Sequence, residues 1–407
     1  MFDVKKIRKD FPMLEQTMQK KPLIFFDNSS TTFKPKSVVN AVARYYLSET
    51  SNSHRGDYDL CYNVDKTILK TRENVAKFIN AKPQEIVFTS GASMSVNLVA
   101  FGYGSKYLKK GDEILLTEAE HASNVLPWYK VCEMTGAVVK FIPLNKQGRL
   151  TLENVKKTVT KNSKIISVAE IGNVLGYKAP IKEICAFAHK HNILVMCDGA
   201  QSVPHHMTDV KNSGVDFLAF SGHKMCGPTG IGALYGRYEL LQKMEPLMSG
   251  GGMNAKFDMC GAVEYLEPPI RFEAGTQNIA GIYGLNEAIN YLNKIGMKNI
   301  EEYEKELHDY AICKLQKIDD IIIYNPSADS GIITINKKNV FAQDEATYLN
   351  SVGIAVRSGQ HCAKILMDFL KCVATIRISF YFYNTKEEID KLVEALKKGD
   401  YLDAYFA

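Results

Sequence analysis

Between residues 85 and 221 the chain keeps alternating between short apolar runs that suit a buried strand and amphipathic runs that suit a helix. "EIVFTS" (85–90) reads as a strand and "MSVNLVAFG" (94–102) as the helix after it. "DEILLTEAEH" (112–121) and "GAVVKFIPL" (136–144) are strands, followed by the helical "TLENVKKTV" (151–159). "SKIISVAEI" (163–171), the helix "IKEICAFAHKH" (181–191) and the strand "NILVMCDGAQ" (192–201) continue the series. Such alternation predicts an α/β fold with a parallel or mixed sheet and helices on both faces. Ligands on sheets of this kind sit at the carboxyl ends of the strands.

After about residue 280 the pattern changes. Two long helical stretches, "IAGIYGLNEAINYLNKIG" and "NIEEYEKELHDYAICKLQKI", precede the short strands "SGIITIN" and "CVATIRISF". "NTKEEIDKLVEALKKG" then closes as a helix, with Asn384 or Thr385 as N-cap and Gly399 as the stop. At 407 residues the chain is long for one core. We read an amino-terminal segment 1–20 packing near the small domain, a large domain 21–280 and a smaller α+β domain 281–407.

The net charge of +5 is spread along the chain without a basic stripe, which excludes nucleic acid as the expected main partner. No apolar run is long enough for a transmembrane helix, and the amino terminus carries charges where a signal peptide needs its apolar centre. A cytoplasmic protein with no membrane partner is expected. The nine cysteines are irregularly spaced and include no C-x-x-C, so reduced thiols are expected rather than disulfides or a metal site.

Chemistry-bearing residues gather at the strand ends. Asp198 closes "LVMCD", and 26 residues later Lys224 follows the apolar "VDFLAF" in "SGHKMCGPTG". A carboxylate at a strand end is ordinarily an N-cap, but paired with a lysine at the neighbouring strand end it fits a pyridoxal phosphate site. There the lysine holds the cofactor covalently and the carboxylate faces the pyridinium nitrogen. At 4 Å and an effective dielectric of 20, that ion pair is worth about 4 kcal/mol. "TSGASMSVN" opens a helix after a strand, so its backbone N–H groups, with Ala92 and Ser93, suit a phosphate. Ser221 and His223 add donors, and His121 stands at another strand end where it could lie against a flat ring.

Together "EHASNVLPW", "CDGAQSVPH", "FSGHKMCGPTGIGALYG", "RFEAGTQN" and "VRSGQHCA" closely resemble the cysteine desulfurases, pyridoxal phosphate enzymes of fold type I in the class-V aminotransferase superfamily. The likeness runs from "FFDNSSTTFKP" to "RISFYFYNTKEEID" and is greatest to the Suf-type branch, through "SHRG" and "GGGM…RFEAGT". It implies a mixed, mostly parallel sheet with a smaller carboxy-terminal α+β domain. It also implies pyridoxal 5'-phosphate on Lys224, Asp198 at the ring nitrogen, Gln201 at the phenolic oxygen and His121 on the ring. Ala92, Ser93, Ser221 and His223 would hold the phosphate. Thr276 would reach the phosphate of the neighbouring subunit, which makes a homodimer. Asn173 would assist at the phenolic oxygen and the substrate carboxylate, while His54, Arg55 and Arg357 fit the mouth of the site.

Cys362 lies in "VRSGQHCAK", a segment too polar for a core strand, and a thiolate is favoured near cations such as those available from His361, Lys364 and Arg357. The resemblance makes Cys362 the residue that takes sulfur from L-cysteine as a persulfide, with Lys224 and His121 as proton-transfer groups. Arg377, amid apolar neighbours in "ATIRISF", needs a partner if buried: the α-carboxylate of an amino acid, or an internal acid. The sulfur would pass to a Suf-type acceptor protein for iron–sulfur cluster or thio-cofactor synthesis. Only 15 positions separate Cys362 from Arg377, so its loop is short and the acceptor must come to it. Two other readings use the same residues: a selenocysteine lyase or other class-V enzyme, and a non-catalytic sulfur carrier. The chain departs from the family's commoner wording at Gln360, at Ala92–Met94 and after Cys362.

Overall fold

The computed structural model of the protein describes residues 2–53 and 56–399. Seven strands make the main sheet: β1 (Ile86–Thr89), β2 (Glu113–Thr117), β3 (Val138–Ile142), β4 (Ser163–Ala169), β5 (Leu194–Asp198), β6 (Phe217–Ser221) and β7 (Gly232–Gly236). Their order across the sheet is β1-β7-β6-β5-β4-β2-β3. The pairs from β3 through β2, β4 and β5 to β6 are all parallel. Only β7 runs the other way, against both β6 and β1. The carboxyl ends of β1, β2, β4, β5 and β6 therefore share one edge of the sheet, and the start of β7 joins them.

The strands are apolar at nearly every position because both faces are covered. Alternate side chains go to opposite cores. Phe88, Leu115, Ile166, Val195 and Leu218 join one cluster, with Ile68 and Val75 of α1 (Asp59–Phe78) and Ile184 and Ala188 of the helix Ile181–Lys190. Val87, Ile114, Leu116, Met196 and Ala219 join the other, with Val96 and Val99 of α2 (Ala92–Val99) and the fully buried Trp128. Helix α3 (Ile279–Ile295) packs into the first of these cores through Ile282, Leu285, Ile289 and Leu292.

A second, antiparallel sheet holds β8 (Ile321–Ile323), β9 (Ile332–Lys337), β10 (Arg357–Gly359) and β11 (Thr375–Ser379), in the order β8-β9-β11-β10. Ile376 and Ile378 of β11 enter its core, so the period of two turns Arg377 to the opposite side. The amino-terminal part of the chain is built into this region. Ile24–Phe25 pairs in parallel with Ile354–Ala355, and Arg8 bonds Glu388 at 2.8 Å. Phe11 packs against Phe382 and Tyr383.

The last helix, α4 (Lys386–Lys398), resolves the choice of cap. Thr385 Oγ1 accepts from Glu388 N, and the Glu388 carboxylate accepts from Thr385 N at 3.0 Å, a complete capping box. Asn384 is instead buried, accepting from Tyr381 N and donating to Phe25 O. Among the described residues no helix is long and apolar enough to cross a membrane.

One buried ion pair joins α1 to the segment after the main sheet. Arg72 and Glu273 meet through two bonds of 2.7 Å, and Glu273 Oε1 also accepts from Phe88 N at 2.8 Å. Replacing Glu273 with Ala leaves a buried guanidinium unpaired, and denaturant unfolding should show a loss of about 3–5 kcal/mol. The double replacement R72M/E273L should recover much of that loss.

Candidate active site

The shared edge of the main sheet opens onto a cavity of about 240 Å³. One end is built where β1 turns into α2. Gly91 sits at φ 145°, and a Cβ there would lie 3.0 Å from Ser221 Oγ. A Cβ on Gly232 would come within 2.6 Å of Gly91 Cα, so the two glycines let the ends of β1 and β7 approach. Ser221 Oγ accepts from Ala92 N at 2.8 Å and keeps its own hydroxyl proton to donate. Ser93 Oγ and Ser123 Oγ are 2.7 Å apart beside the helix start. Free N–H groups, hydroxyls and the positive end of a helix dipole suit a phosphate. His223 lines the same cavity, but burial pushes its pKa down to about 4, so it offers a neutral ring.

Lys224 ends a single 3₁₀ turn after β6. The carbonyl just before it, His223 O, accepts from Thr32 N, from the hydroxyls of Thr31 and Thr32 and from the Lys34 ammonium, at 3.0–3.2 Å. This knot comes from "NSSTTFK", near the amino terminus. Its run of small hydroxylated residues after a buried strand was the available signal in the sequence. Lys224 is partly buried, and loss of hydration around its amine pushes its pKa down to about 8 despite the opposing pull of Asp198. Asp198, at the end of β5, accepts from Ala200 N at 2.9 Å and also lines the cavity. A pKa near 8 leaves about a tenth of the amine neutral at pH 7, against well under a thousandth for an ordinary lysine. The neutral amine attacks an aldehyde, so covalent loading of cofactor-free protein with pyridoxal phosphate should rise with pH around a midpoint near 8. A midpoint near 10, followed by absorbance, would contradict this burial.

His121 follows β2 and caps a short turn, its Nδ1 accepting from Ser123 N at 3.1 Å. The neutral ring therefore carries its proton on Nε2. Burial, reinforced by the charge of Lys224, lowers its pKa and keeps it neutral. Behind it the buried Glu120, pushed up to about 7, accepts from Thr117, from Asn124 at 2.8 Å and from Ala169 N at 2.9 Å. That carboxyl ties the His121 turn to the end of β4. "TEAEH" contained it, but nothing in the spacing set it apart.

The opposite wall comes from the second sheet. Buried Arg377 donates from Nη1 to Asn173 O at 3.1 Å, and from Nη2 to Asp27 Oδ1 at 2.9 Å and Ser30 Oγ at 2.7 Å. An internal acid is therefore present, and Nε is still buried without a partner among the described residues. Asn173 donates to His361 O and Gln201 to Ser29 O, both at 2.8 Å, while their side-chain oxygens have no partner among the described residues. Buried polar atoms are ordinarily satisfied, so three orphans on one cavity mark places for ligand atoms. Each amide nitrogen also keeps a second N–H to donate. These observations fit the phosphate, ring and amino-acid ends of a pyridoxal phosphate site.

Cys362 is exposed on the cavity's rim, in a backbone with two successive left-handed residues, His361 at φ 52° and Cys362 at φ 56°. Ala122 N donates to Cys362 O at 2.7 Å, tying the cysteine loop to the His121 turn. His361 departs from the expectation that it would supply charge. Its Nε2 lies 2.9 Å from Thr375 Oγ1, and burial pushes its pKa down to about 3, so it is neutral. The cations that share the cavity with the sulfur are Arg377 and Lys224. Arg357 lines the cavity with them. Thr276 does not: it is exposed and bonds Asn52 at 3.3 Å. His54 and Arg55 lie outside the described residues.

A family model described as "Aminotransferase class-V" matches residues 24–392. Curated relatives named "Probable cysteine desulfurase" include one from Halalkalibacterium halodurans, 44% identical over 395 residues, covering 96% of this chain and 97% of its own. One from Staphylococcus aureus is 45% identical over 403 residues, covering 98% and 97%. Among solved structures, the cysteine desulfurase CsdA (S-sulfonic acid) from Escherichia coli superposes with a TM-score of 0.91 at 35% identity, covering 99% of each chain. The apo cysteine desulfurase from Thermococcus onnurineus does so at 0.91 and 37%, covering 97% of each. With the match spanning nearly all of both sheets and of the cavity between them, the chain belongs to the class-V aminotransferase family, beside its cysteine desulfurases.

Proposed function

We propose that the protein is a pyridoxal phosphate-dependent cysteine desulfurase, converting L-cysteine to L-alanine and taking the sulfur onto Cys362 as a persulfide. The observation that carries this reading is one cavity with a partly buried, easily deprotonated lysine beside a strand-end aspartate, and a cysteine and an arginine on the opposite wall. The names of the full-length relatives support it. Lys224 and Asp198 would hold the cofactor's aldehyde and ring nitrogen. The α2 start, Ser93, Ser221 and His223 would hold its phosphate, and Gln201 and Asn173 its phenolic oxygen. Bound there, the cofactor supplies a ring that accepts electrons from the substrate's α carbon.

The chain's own residues do the rest. Arg377 Nε, free and buried, takes the α-carboxylate. The neutral Lys224 amine is the base for the α hydrogen, and His121 holds a transferable proton at Nε2. Cys362 Sγ attacks the substrate's sulfur: an S–S bond forms as the substrate's C–S bond breaks, and a proton completes the methyl group of alanine.

The loop carrying Cys362 is held at two successive carbonyls, His361 O by Asn173 and Cys362 O by Ala122. A loop fixed in this way favours transfer to an acceptor protein that docks over it, in the manner of the Suf-type branch, for iron–sulfur cluster or thio-cofactor synthesis in the cytoplasm. A homodimer is part of the reading. Leu47 is 85% exposed, and Phe257 72% exposed on the hairpin Asn254–Phe257/Val263–Tyr265, in the half of the chain that carries Thr276. Singly exposed apolar side chains are ordinary on a surface, so the homodimer rests on the resemblance, in which Thr276 would meet the partner's phosphate.

Cys362→Ser should keep the visible absorbance of the bound cofactor and lose alanine formation from L-cysteine by at least ~10²-fold. Unimpaired turnover would remove the assigned nucleophile. Arg377→Ala should raise KM for L-cysteine by about 10–100-fold, the worth of a charge-assisted contact, with a smaller change in kcat. An unchanged KM would place the carboxylate elsewhere.

A further inference from the structure

Asp27 stands between two arginines and uses one carboxylate oxygen for each. Oδ1 accepts from Arg377 Nη2 at 2.9 Å, and Oδ2 lies 3.6 Å from Arg357 Nη1. Ser30 Oγ completes the cluster, donating to Asp27 Oδ1 at 2.7 Å and accepting from Arg377 at 2.7 Å and Arg357 at 3.1 Å. Asp27 is held in place by its backbone, which bridges to Ser379 at the end of Arg377's own strand. The two arginines differ in setting: Arg377 is buried, whereas the Arg357 side chain is 46% exposed at the cavity's rim.

The charge count follows from this. Among the described residues the cavity gathers three cations, Lys224, Arg377 and Arg357, and the anion Asp198, which the proposed reading gives to the cofactor's ring nitrogen. Without Asp27, two guanidiniums would face an incoming amino acid, a setting suited to a substrate with two acidic groups. With Asp27, Arg377 is oriented so that only its Nε edge is open, and Arg357 is engaged. One α-carboxylate then completes the set. A second negative group on the side chain would find Arg357, among the described cations of the cavity wall, already paired with Asp27.

We propose that Asp27 is a specificity-determining and positioning residue. It neutralises Arg357 and aims Arg377, so that the site accepts amino acids with a single carboxylate and an uncharged side chain and rejects acidic ones. This rests on the cysteine desulfurase reading above and goes beyond it, since that reading assigns Asp27 no part.

The test compares wild-type holoenzyme with D27N, D27E and D27N/R357Q. Alanine release from L-cysteine gives KM, and competition by L-aspartate gives an inhibition constant. Asn differs little in shape and its Oδ1 can accept the same bonds from Arg377 and Ser30, so D27N removes chiefly charge; thermal melting checks that it folds. The inhibition constant for L-aspartate, taken relative to KM for L-cysteine, should fall at least about tenfold in D27N. It should stay within about twofold of wild type in D27E, and the gain should vanish in D27N/R357Q. An unmoved ratio in D27N, or a gain that survives loss of Arg357, overturns the assignment while leaving desulfuration intact. Absence of alanine release from the wild-type holoenzyme would overturn the underlying reading and this inference with it.

Discussion

A lysine amine held away from water beside a carboxylate is the constraint on which the site depends. Lys224 is partly buried, and its charged form is disfavoured enough to lower its pKa to about 8. Such a position would be a liability in an ordinary protein. It is tolerated here because a mostly parallel sheet brings five strand ends to one edge, where Asp198 balances part of the charge and His223's carbonyl is gripped by four donors. The long apolar strands, the two covering layers of helices and the close glycines at positions 91 and 232 all serve to hold that edge together.

The second sheet contributes a wall rather than a separate site. Period-two alternation in β11 puts Ile376 and Ile378 into their own core and Arg377 against Asn173 and Asp27. The same alignment joins the cysteine loop to the His121 turn through one backbone bond, Ala122 N to Cys362 O. Cys362 and the His121 turn are thus positioned by mutually connected loops, and the histidine next to the sulfur is neutral.

Much of this was legible in the sequence because it is local. Strands such as "LVMCD" and "VDFLAF" announce themselves as apolar runs, and the residues at their ends, Asp198 and Lys224, follow by position. The remainder depends on long-range contacts that no local pattern encodes. Asp27 and Ser30 meet Arg377 across some 350 positions of chain. Lys34 and Thr32 reach His223 across about 190. His361 read as a potential cation from its polar neighbours, whereas its burial against Thr375, invisible in sequence, makes it neutral. Thr276 was placed by resemblance at a neighbouring subunit's phosphate, and within one chain it lies apart from the cavity.

The most direct test of the central claim is a peptide map of the protein loaded with pyridoxal phosphate and reduced with borohydride. A partly buried lysine poised beside Asp198 predicts one stable pyridoxyl adduct, on the peptide containing Lys224. An adduct on another lysine, or none at all, would contradict the account.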